Sequence, residues 1–190
     1  KRQQQFYSQI NESGTDTKTL VYEDLDSTFV DGRNIVFLET NDQGFVSNVT
    51  SILNSFISEE QEIVLYTTNK NKAFEGTNIS NTFLSNLKFQ YASTNKVIDN
   101  NMYQDFINEF MELYKFYPNK YSIRAFDIVY DLLLRYSNGN IDDPENHENQ
   151  TEYLENKFKY YRTRTGSLDN ISVYYLKHEN LDIKQINNWF

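Results

Sequence analysis

Polar side chains follow three apolar, strand-like segments of this chain, where they could bind a small molecule. The segments are residues 34–38 (NIVFL), 62–66 (EIVLY) and 87–91 (LKFQY). In an open α/β sheet, ligands bind outside the carboxyl ends of the strands. The predicted ligand contacts after these segments are Glu39, Thr40, Asn41, Asp42, Thr67, Thr68, Asn69, Ser93 and Thr94. Glu39 could meet an α-ammonium group and the hydroxyl groups could orient a carboxylate, while helix capping and turn formation remain the alternative role.

The residues that carry catalysis or metal binding in other proteins follow no recognisable pattern here. Motifs of phosphate-binding loops, dinucleotide-binding folds, serine hydrolases and zinc proteases are absent from the sequence. His147 and His178 lie far apart in polar surroundings, and we expect both to be solvated surface side chains. The run of Asp142, Asp143, Glu145 and Glu148 lacks the spacing of an EF-hand loop and predicts a solvated loop. We therefore predict no enzyme, no cofactor and no metal site.

The composition limits the partners. The chain has 190 residues, enough for one domain, and its 15 Tyr and 14 Phe predict an aromatic core. A net charge of −9 argues against nucleic-acid binding and against docking on anionic membranes. Cysteine is absent, which excludes disulfides and thiolate chemistry. No apolar run approaches the ~20 residues of a membrane helix, so we expect no membrane insertion, and the start at Lys1 rather than Met suggests a fragment.

Short strands and helices alternate along the first half of the chain. A helix within residues 1–10 and a strand at residues 19–22 are predicted first. The run at residues 34–38 is expected to be buried on both faces, and Asn41 or Asp42 could cap a helix that reaches residue 56. A short helix is predicted near residues 78–84. This order is typical of an α/β layered domain.

Two amphipathic helices, separated by Pro118, are predicted between residues 99 and 138. Proline cannot continue the first helix and disfavours helical geometry at the preceding residue. The apolar residues recur at steps of three and four, which puts each set on one helix face. The first set is Met102, Phe106, Phe110, Leu113, Tyr114 and Tyr117, and the second is Tyr121, Ala125, Ile128, Val129, Leu132, Leu133 and Tyr136.

The sequence changes character after residue 138. Residues 139–156 hold six carboxylates and no Lys or Arg, which predicts an acidic loop with one helical turn near residues 151–156. Residues 157–164 and 171–176 predict a hairpin, followed by a tail that is an appendage or a docking strand. We predict one lobe-like domain over residues 1–190, with a core at about 15–138, the acidic loop at 139–156, and the hairpin and tail at 157–190. Its fold class is α/β, a mainly parallel three-layer α/β/α lobe with a C-terminal β-hairpin.

Three stretches carry a resemblance to a known family. They are NIVFLETNDQGFVSNVTSIL, EIVLYTTN, and the pattern F-x-x-x-F-M-x-x-Y-K-x-Y-P-N-K-Y-x-x-R-A-F-D at residues 106–127. Together they resemble the C-terminal lobe of the type I periplasmic-binding-protein fold, as in branched-chain amino-acid receptors. The late TEYLENKFKYYR…NISVYYLKHENL is similar to that family's hairpin, and more narrowly to Bacteroidetes substrate-binding-like proteins that are sometimes fused to LysM modules.

The resemblance implies a function and a location. It implies a non-catalytic module of the periplasm or cell envelope that binds an amino acid or a peptide-like molecule between two lobes, of which this chain holds at most one. In the family the loops after the first two strands contact the ligand, and an aromatic near Phe126 can add to them. Asp127 is expected to be a structural acceptor at the helix start rather than a ligand contact. The alternative function is a cell-envelope scaffold, with peptidoglycan or an envelope protein as partner and a vestigial cleft.

Overall fold

The computed structural model describes residues 29–68, 70–97, 103–139 and 149–186. The predicted helix within residues 1–10 and the predicted strand at residues 19–22 lie outside these ranges. The helices are α1 (Gln43–Ser55), α2 (Asn81–Asn86), α3 (Gln104–Tyr114) and α4 (Lys120–Ser137), with one 3-10 turn at Lys72–Phe74. The strands are β1 (Gly32–Phe37), β2 (Gln61–Thr67), β3 (Gln90–Ser93), β4 (Thr151–Glu152), β5 (Lys157–Phe158), β6 (Tyr160–Arg162), β7 (Leu168–Asn170), β8 (Tyr174–Glu179) and β9 (Asp182–Ile186).

A mixed sheet of five strands, in the order β1-β2-β3-β8-β9, organises the fold. β1 pairs with β2 in parallel, with Asn34 opposite Ile63, and β2 pairs with β3 in parallel, with Tyr66 opposite Gln90. The two-residue loop between β8 and β9 makes these strands a hairpin. The predicted α/β fold class is therefore confirmed, including hairpin strands at the C-terminal side.

The two apolar runs that predicted the first strands differ in burial. Residues 63–67 of β2 are all buried, as expected for a strand covered on both faces. The expectation for β1 is wrong, because Ile35 is 45% exposed. The reason is position: within the described residues β1 is an edge strand, with a neighbour on one side alone.

α1 begins where the capping pattern predicted. The carboxylate of Asp42 accepts a hydrogen bond from the amide of Phe45 at 3.1 Å, which satisfies one of the free amides of the first turn. Val46, Val49 and Leu53 form the buried face of this helix. Of the predicted cap residues, Asp42 is therefore the one that caps.

The chain divides into two compact units. Of the described residues, the first comprises 29–68, 70–91 and 177–182, and the second comprises 92–97, 103–139, 149–176 and 183–186, so that the boundaries fall within β3, β8 and β9. Aromatic contacts fill the core of the first unit, where the rings of Phe74 and Phe89 stack 5.1 Å apart. The prediction of one lobe-like domain over residues 1–190 stays a prediction.

The two long helices exist where the sequence predicts them, but their apolar faces are not buried. In α4 the buried residues are Asp127, Asp131 and Arg135, while all seven residues of the predicted apolar face are exposed. In α3 the buried residue is Ile107, and Leu113 of the predicted face is 75% exposed. The charged stripe of α4 faces the inside of the second unit because it bonds to the segment at residues 149–158.

Two predictions at the C-terminal side are wrong. The helical turn expected near residues 151–156 is instead β4, which pairs antiparallel with β5. The hairpin expected between residues 157–164 and 171–176 forms between β6 and β7, with Tyr161 opposite Asp169. The run at residues 171–176 supplies the start of β8, which has the alternating burial of a strand in the larger sheet. Residues 140–148 of the acidic loop lie outside the described residues.

Candidate functional site

The loops after β1 and β2 form a polar cluster in the first unit, which we call the Glu39 cluster. The two strands are parallel and in register, so their carboxyl ends meet at the same edge of the sheet. One carboxylate oxygen of Glu39 accepts a hydrogen bond from the Thr67 hydroxyl at 3.1 Å and another from the Thr68 amide. These bonds fix the orientation of the carboxylate at the point where a ligand would meet the sheet.

Asn71 joins the same two loops and was missed by sequence reasoning. Its side-chain amide donates to the Thr40 carbonyl at 2.8 Å and to the Asn41 side-chain oxygen at 2.9 Å. Its own oxygen accepts from the Ala73 amide and caps the 3-10 turn. The sequence could have predicted Asn71 as a cap, because it is a polar residue shortly after a strand. Its bonds to residues about 30 positions earlier in the chain could not be predicted from the neighbouring sequence.

The Glu39 cluster therefore brings together most of the predicted contacts of the first unit. Thr40 adds a hydroxyl that accepts from the Asp42 amide at 3.1 Å, and Asp42 is committed to capping α1. Thr67 is fully buried, whereas Thr68 and Asn41 are exposed. Asn69 lies outside the described residues. The arrangement offers a carboxylate for a cationic group, and hydroxyl and amide groups for an anionic or neutral polar one.

The remaining predicted contacts belong to the second unit. The Ser93 hydroxyl donates to the Asn95 carbonyl at 2.7 Å, and the Thr94 hydroxyl donates to the Asn95 side chain. That side-chain oxygen also accepts from Arg124 and Asn156, each at 3.0 Å. Ser93 and Thr94 thus lie in a turn organised by Asn95, which is the alternative role that the sequence left open.

Phe126 lies among other rings of the two long helices. Its ring centroid is 4.9 Å from that of Phe106 and 5.4 Å from that of Tyr130, and the side chain is 40% exposed. An aromatic ladder of this kind gains its stability from ring contacts. Whether Phe126 contacts a ligand stays a prediction.

A buried charge network holds the second unit together and was also missed. Asp127 accepts hydrogen bonds from three consecutive backbone amides, those of residues 154, 155 and 156, at 2.9–3.1 Å. Asp131 pairs with Arg135 at 2.9 Å and accepts from the hydroxyls of Thr151 and Tyr153. Asp127 is a structural acceptor as expected, but it lies in the third turn of α4 rather than at the helix start, which Asn119 caps.

The signal for this network was present in the sequence. Residues 127, 131 and 135 recur at steps of four, which places them in one row on a helix. Apolar periodicity does not reveal such a row, because it follows the spacing of apolar residues alone.

Among the described residues, four buried titratable side chains have an atom without a hydrogen-bond partner, namely Tyr103, Glu155, Tyr174 and His178. Nε2 of His178 and Oε2 of Glu155 are buried and unpartnered. Burial, helped by the charge of Lys70, lowers the pKa of His178 to about 4, and burial raises the pKa of Glu155. The expectation of a solvated His178 is wrong, because β8 carries it into the core beside the rings of Phe89 and Tyr91. His147 lies outside the described residues.

Metal binding and membrane spanning were both expected to be absent, and the described residues bear on each. They hold no group of three or more His, Cys, Asp or Glu side chains arranged to bind a metal ion. Among the helices of these residues, none combines the length and the apolar character needed to cross a bilayer.

Two solved structures resemble this chain. One is an ABC transporter substrate-binding protein from Desulfitobacterium hafniense in complex with Leu, with a TM-score of 0.42 and 14% identity over 96% of this chain and 47% of that one. Another, described as a branched-chain amino acid ABC transporter from Rhodospirillum rubrum, has a TM-score of 0.47 and 12% identity over 79% of this chain and 43% of that one. This chain therefore spans less than half the length of each. No family model and no curated protein matches it.

Proposed function

We propose that this chain is a non-catalytic, extracytoplasmic module that binds an amino acid or a peptide-like molecule at the Glu39 cluster. The observation that supports this most is the fixed carboxylate of Glu39 at the carboxyl ends of two parallel strands. In open α/β sheets that edge is where ligands bind. The expected location, the periplasm or the cell envelope, rests on the sequence resemblance.

The chemistry of the cluster suits a zwitterionic ligand. Glu39 would accept hydrogen bonds from an α-ammonium group, and charge-assisted bonds of this kind are about twice as strong as neutral ones. The Thr40 and Thr68 hydroxyls would orient the α-carboxylate, while Asn71, whose amide already donates to residues 40 and 41, would hold the two loops in place. Because Glu39 is already oriented by its own chain, little conformational entropy would be lost when the ligand binds.

A thermal-shift screen tests this function. We expect amino acids or short peptides to raise the melting temperature in a saturable way. A ligand at about 100 times its dissociation constant adds roughly 2.7 kcal/mol to the free energy of unfolding. Glu39→Gln keeps the shape of the side chain but removes its charge, so it should abolish the ligand-dependent shift. The matched control is Glu59→Gln, at an exposed position of the first unit outside the Glu39 cluster, which should keep the shift. No shift at millimolar ligand would overturn the proposal.

A second candidate is a cell-envelope scaffold with a vestigial cleft. It is favoured by the bonds of Glu39 and Asn71 to their own chain, because such bonds brace loops whether or not a ligand binds. In that case Glu39→Gln would lower the melting temperature without ligand, the screen would stay flat, and the chain would cosediment with purified peptidoglycan. Cosedimentation together with a saturable amino-acid shift would favour the binding module.

A further inference from the structure

The charged residues of α4 all face inward along most of its length. Between residues 125 and 137 the charged side chains are Asp127, Asp131 and Arg135, and each of them is buried and hydrogen-bonded. The outward positions of this stretch therefore carry no charge. A soluble protein normally places its charges on the solvent side of a helix, so this distribution is the reverse of the usual one.

The outward positions of α4 join the exposed apolar residues at the end of α3 and in the turn after it in one surface, which we call the α3–α4 surface, while the other exposed positions of α3 are polar or charged. Its members that are more than half exposed are Leu113, Tyr114, Phe116, Tyr117, Tyr121, Val129, Leu133 and Tyr136. Ring contacts make the two helices continuous, since Phe106 lies 5.8 Å from Phe110 on α3 and 4.9 Å from Phe126 on α4. The surface belongs wholly to the second unit.

The area of this surface matches what a stable dimer needs. The seven exposed aromatic side chains between residues 114 and 136 present 40–77% of their surface. At about 200 Å² for each side chain, they expose on the order of 800 Å². A monomer rarely shows an apolar patch above ~600 Å², whereas each partner of a standard protein interface buries about 800 Å².

We propose that the α3–α4 surface is a two-fold interface between two copies of this chain. Two copies of a chain with net charge −9 repel each other at most of their faces. The α3–α4 surface avoids this repulsion because its centre carries no charge. The rim carries both signs, because Glu109 and Glu112 lie on α3, while Lys115 and Lys120 flank the turn to α4, all exposed. In a two-fold dimer the same patch of each copy meets the other, so the acidic rim residues of one copy can pair with the basic rim residues of the other.

Sedimentation velocity on the full 190-residue chain tests the proposal. Over a concentration series we expect a species of twice 22.6 kDa that dissociates on dilution. Leu133→Glu places a charge at the centre of the interface and should weaken the dimer by at least tenfold. Leu181→Glu, at an exposed apolar residue of the β8–β9 loop, is the matched control and should leave dissociation unchanged. Leu133→Gln is a milder variant if Leu133→Glu does not fold, which circular dichroism would reveal.

Three outcomes would overturn the proposal. One is a monomer at every concentration, whether the surface is bare or covered by residues 1–28. Another is a dimer that Leu133→Glu and Leu133→Gln leave as strong as before. The third is equal weakening by the Leu181→Glu control. None of these outcomes bears on the Glu39 cluster, so the dimer and the ligand site are tested separately.

Discussion

Asp127 is the side chain on which the turn at residues 154–156 depends. Three backbone amides donate to its buried carboxylate. Asp127→Ala would leave these amides without an acceptor, and each unsatisfied buried group costs roughly 1–3 kcal/mol. We expect the free energy of unfolding in urea to fall by at least about 3 kcal/mol. Asp105→Ala, at an exposed position in the first turn of α3, should lower it by no more than about 1 kcal/mol, through the lost interaction with the helix dipole. Equal effects of the two substitutions would contradict this assignment.

His178 makes stability depend on pH in one direction. Its folded pKa is lowered from 6.5 to about 4, so between these values the unfolded chain binds a proton that the folded chain does not. The free energy of unfolding should therefore fall as the pH drops from about 6.5 to 4, by on the order of 3 kcal/mol. His178→Leu should remove this part of the slope in urea titrations at several pH values. An unchanged slope would mean that His178 is already protonated in the fold.

Glu155 should act in the opposite direction. Burial raises its folded pKa above the unfolded value of 4.5, so the folded chain holds its proton more tightly. Its stabilising contribution is present at low pH and is lost as the pH rises through the folded pKa. Glu155→Gln keeps the shape of the neutral acid and should raise the free energy of unfolding at neutral pH. If Glu155→Gln instead lowers the free energy of unfolding at neutral pH, the charged carboxylate is stabilised by a partner in the fold and the prediction is wrong.

At the scale of elements, the β8–β9 loop contains a strained residue. Asn180 and Leu181 have φ angles of 54° and 64°, the left-handed region that a two-residue hairpin turn requires at both central positions. Asn adopts this conformation readily, whereas other L-residues pay about 1–2 kcal/mol. Leu181→Gly keeps the amide that donates to Ser85 and should raise the melting temperature by a few degrees. Asn180→Gly should change it little, and equal gains at both positions would contradict the assignment of strain to Leu181.

The helices show where sequence patterns succeed and fail. Asn119 and Asp42 could be predicted as caps because a cap is a local signal within four residues. The burial of α4 could not be predicted from apolar periodicity, since its charged row binds to residues 149–158, which come later in the chain. A helix that is apolar on most of its surface can bury a polar row when that row is fully hydrogen-bonded.

In the molecule as a whole, the order of the described strands and helices of the first unit could be predicted from the sequence, because each element has its own period and its own stops. The strand register and the joining of the Glu39 cluster could not, since Glu39 and Thr67 lie 28 residues apart. Neither could the exchange of partners at the C-terminal side, where residues 168–170 rather than 171–176 pair with β6. Pairing between distant segments is decided by packing rather than by local preference.

The charge of the whole chain predicts how the proposed dimer responds to salt. Two copies with net charge −9 repel each other, and salt screens that repulsion. Sulfate also strengthens apolar burial. The dissociation constant from sedimentation should therefore fall severalfold when sodium sulfate is added. A dissociation constant that rises with salt would mean that ion pairs, rather than the uncharged α3–α4 surface, hold the copies together.

The Glu39 cluster is proposed to bind a small zwitterionic molecule. The most direct measurement follows backbone amide resonances of the ¹⁵N-labelled chain while the amino acid that gives the largest thermal shift is titrated in. We predict saturable changes at the amides of residues 39–42, 68 and 71, and their loss in Glu39→Gln. If resonances stay unchanged at millimolar ligand, or if the changes fall elsewhere in the chain, the bonds of the Glu39 cluster serve to stabilise the two loops and the proposed binding is wrong.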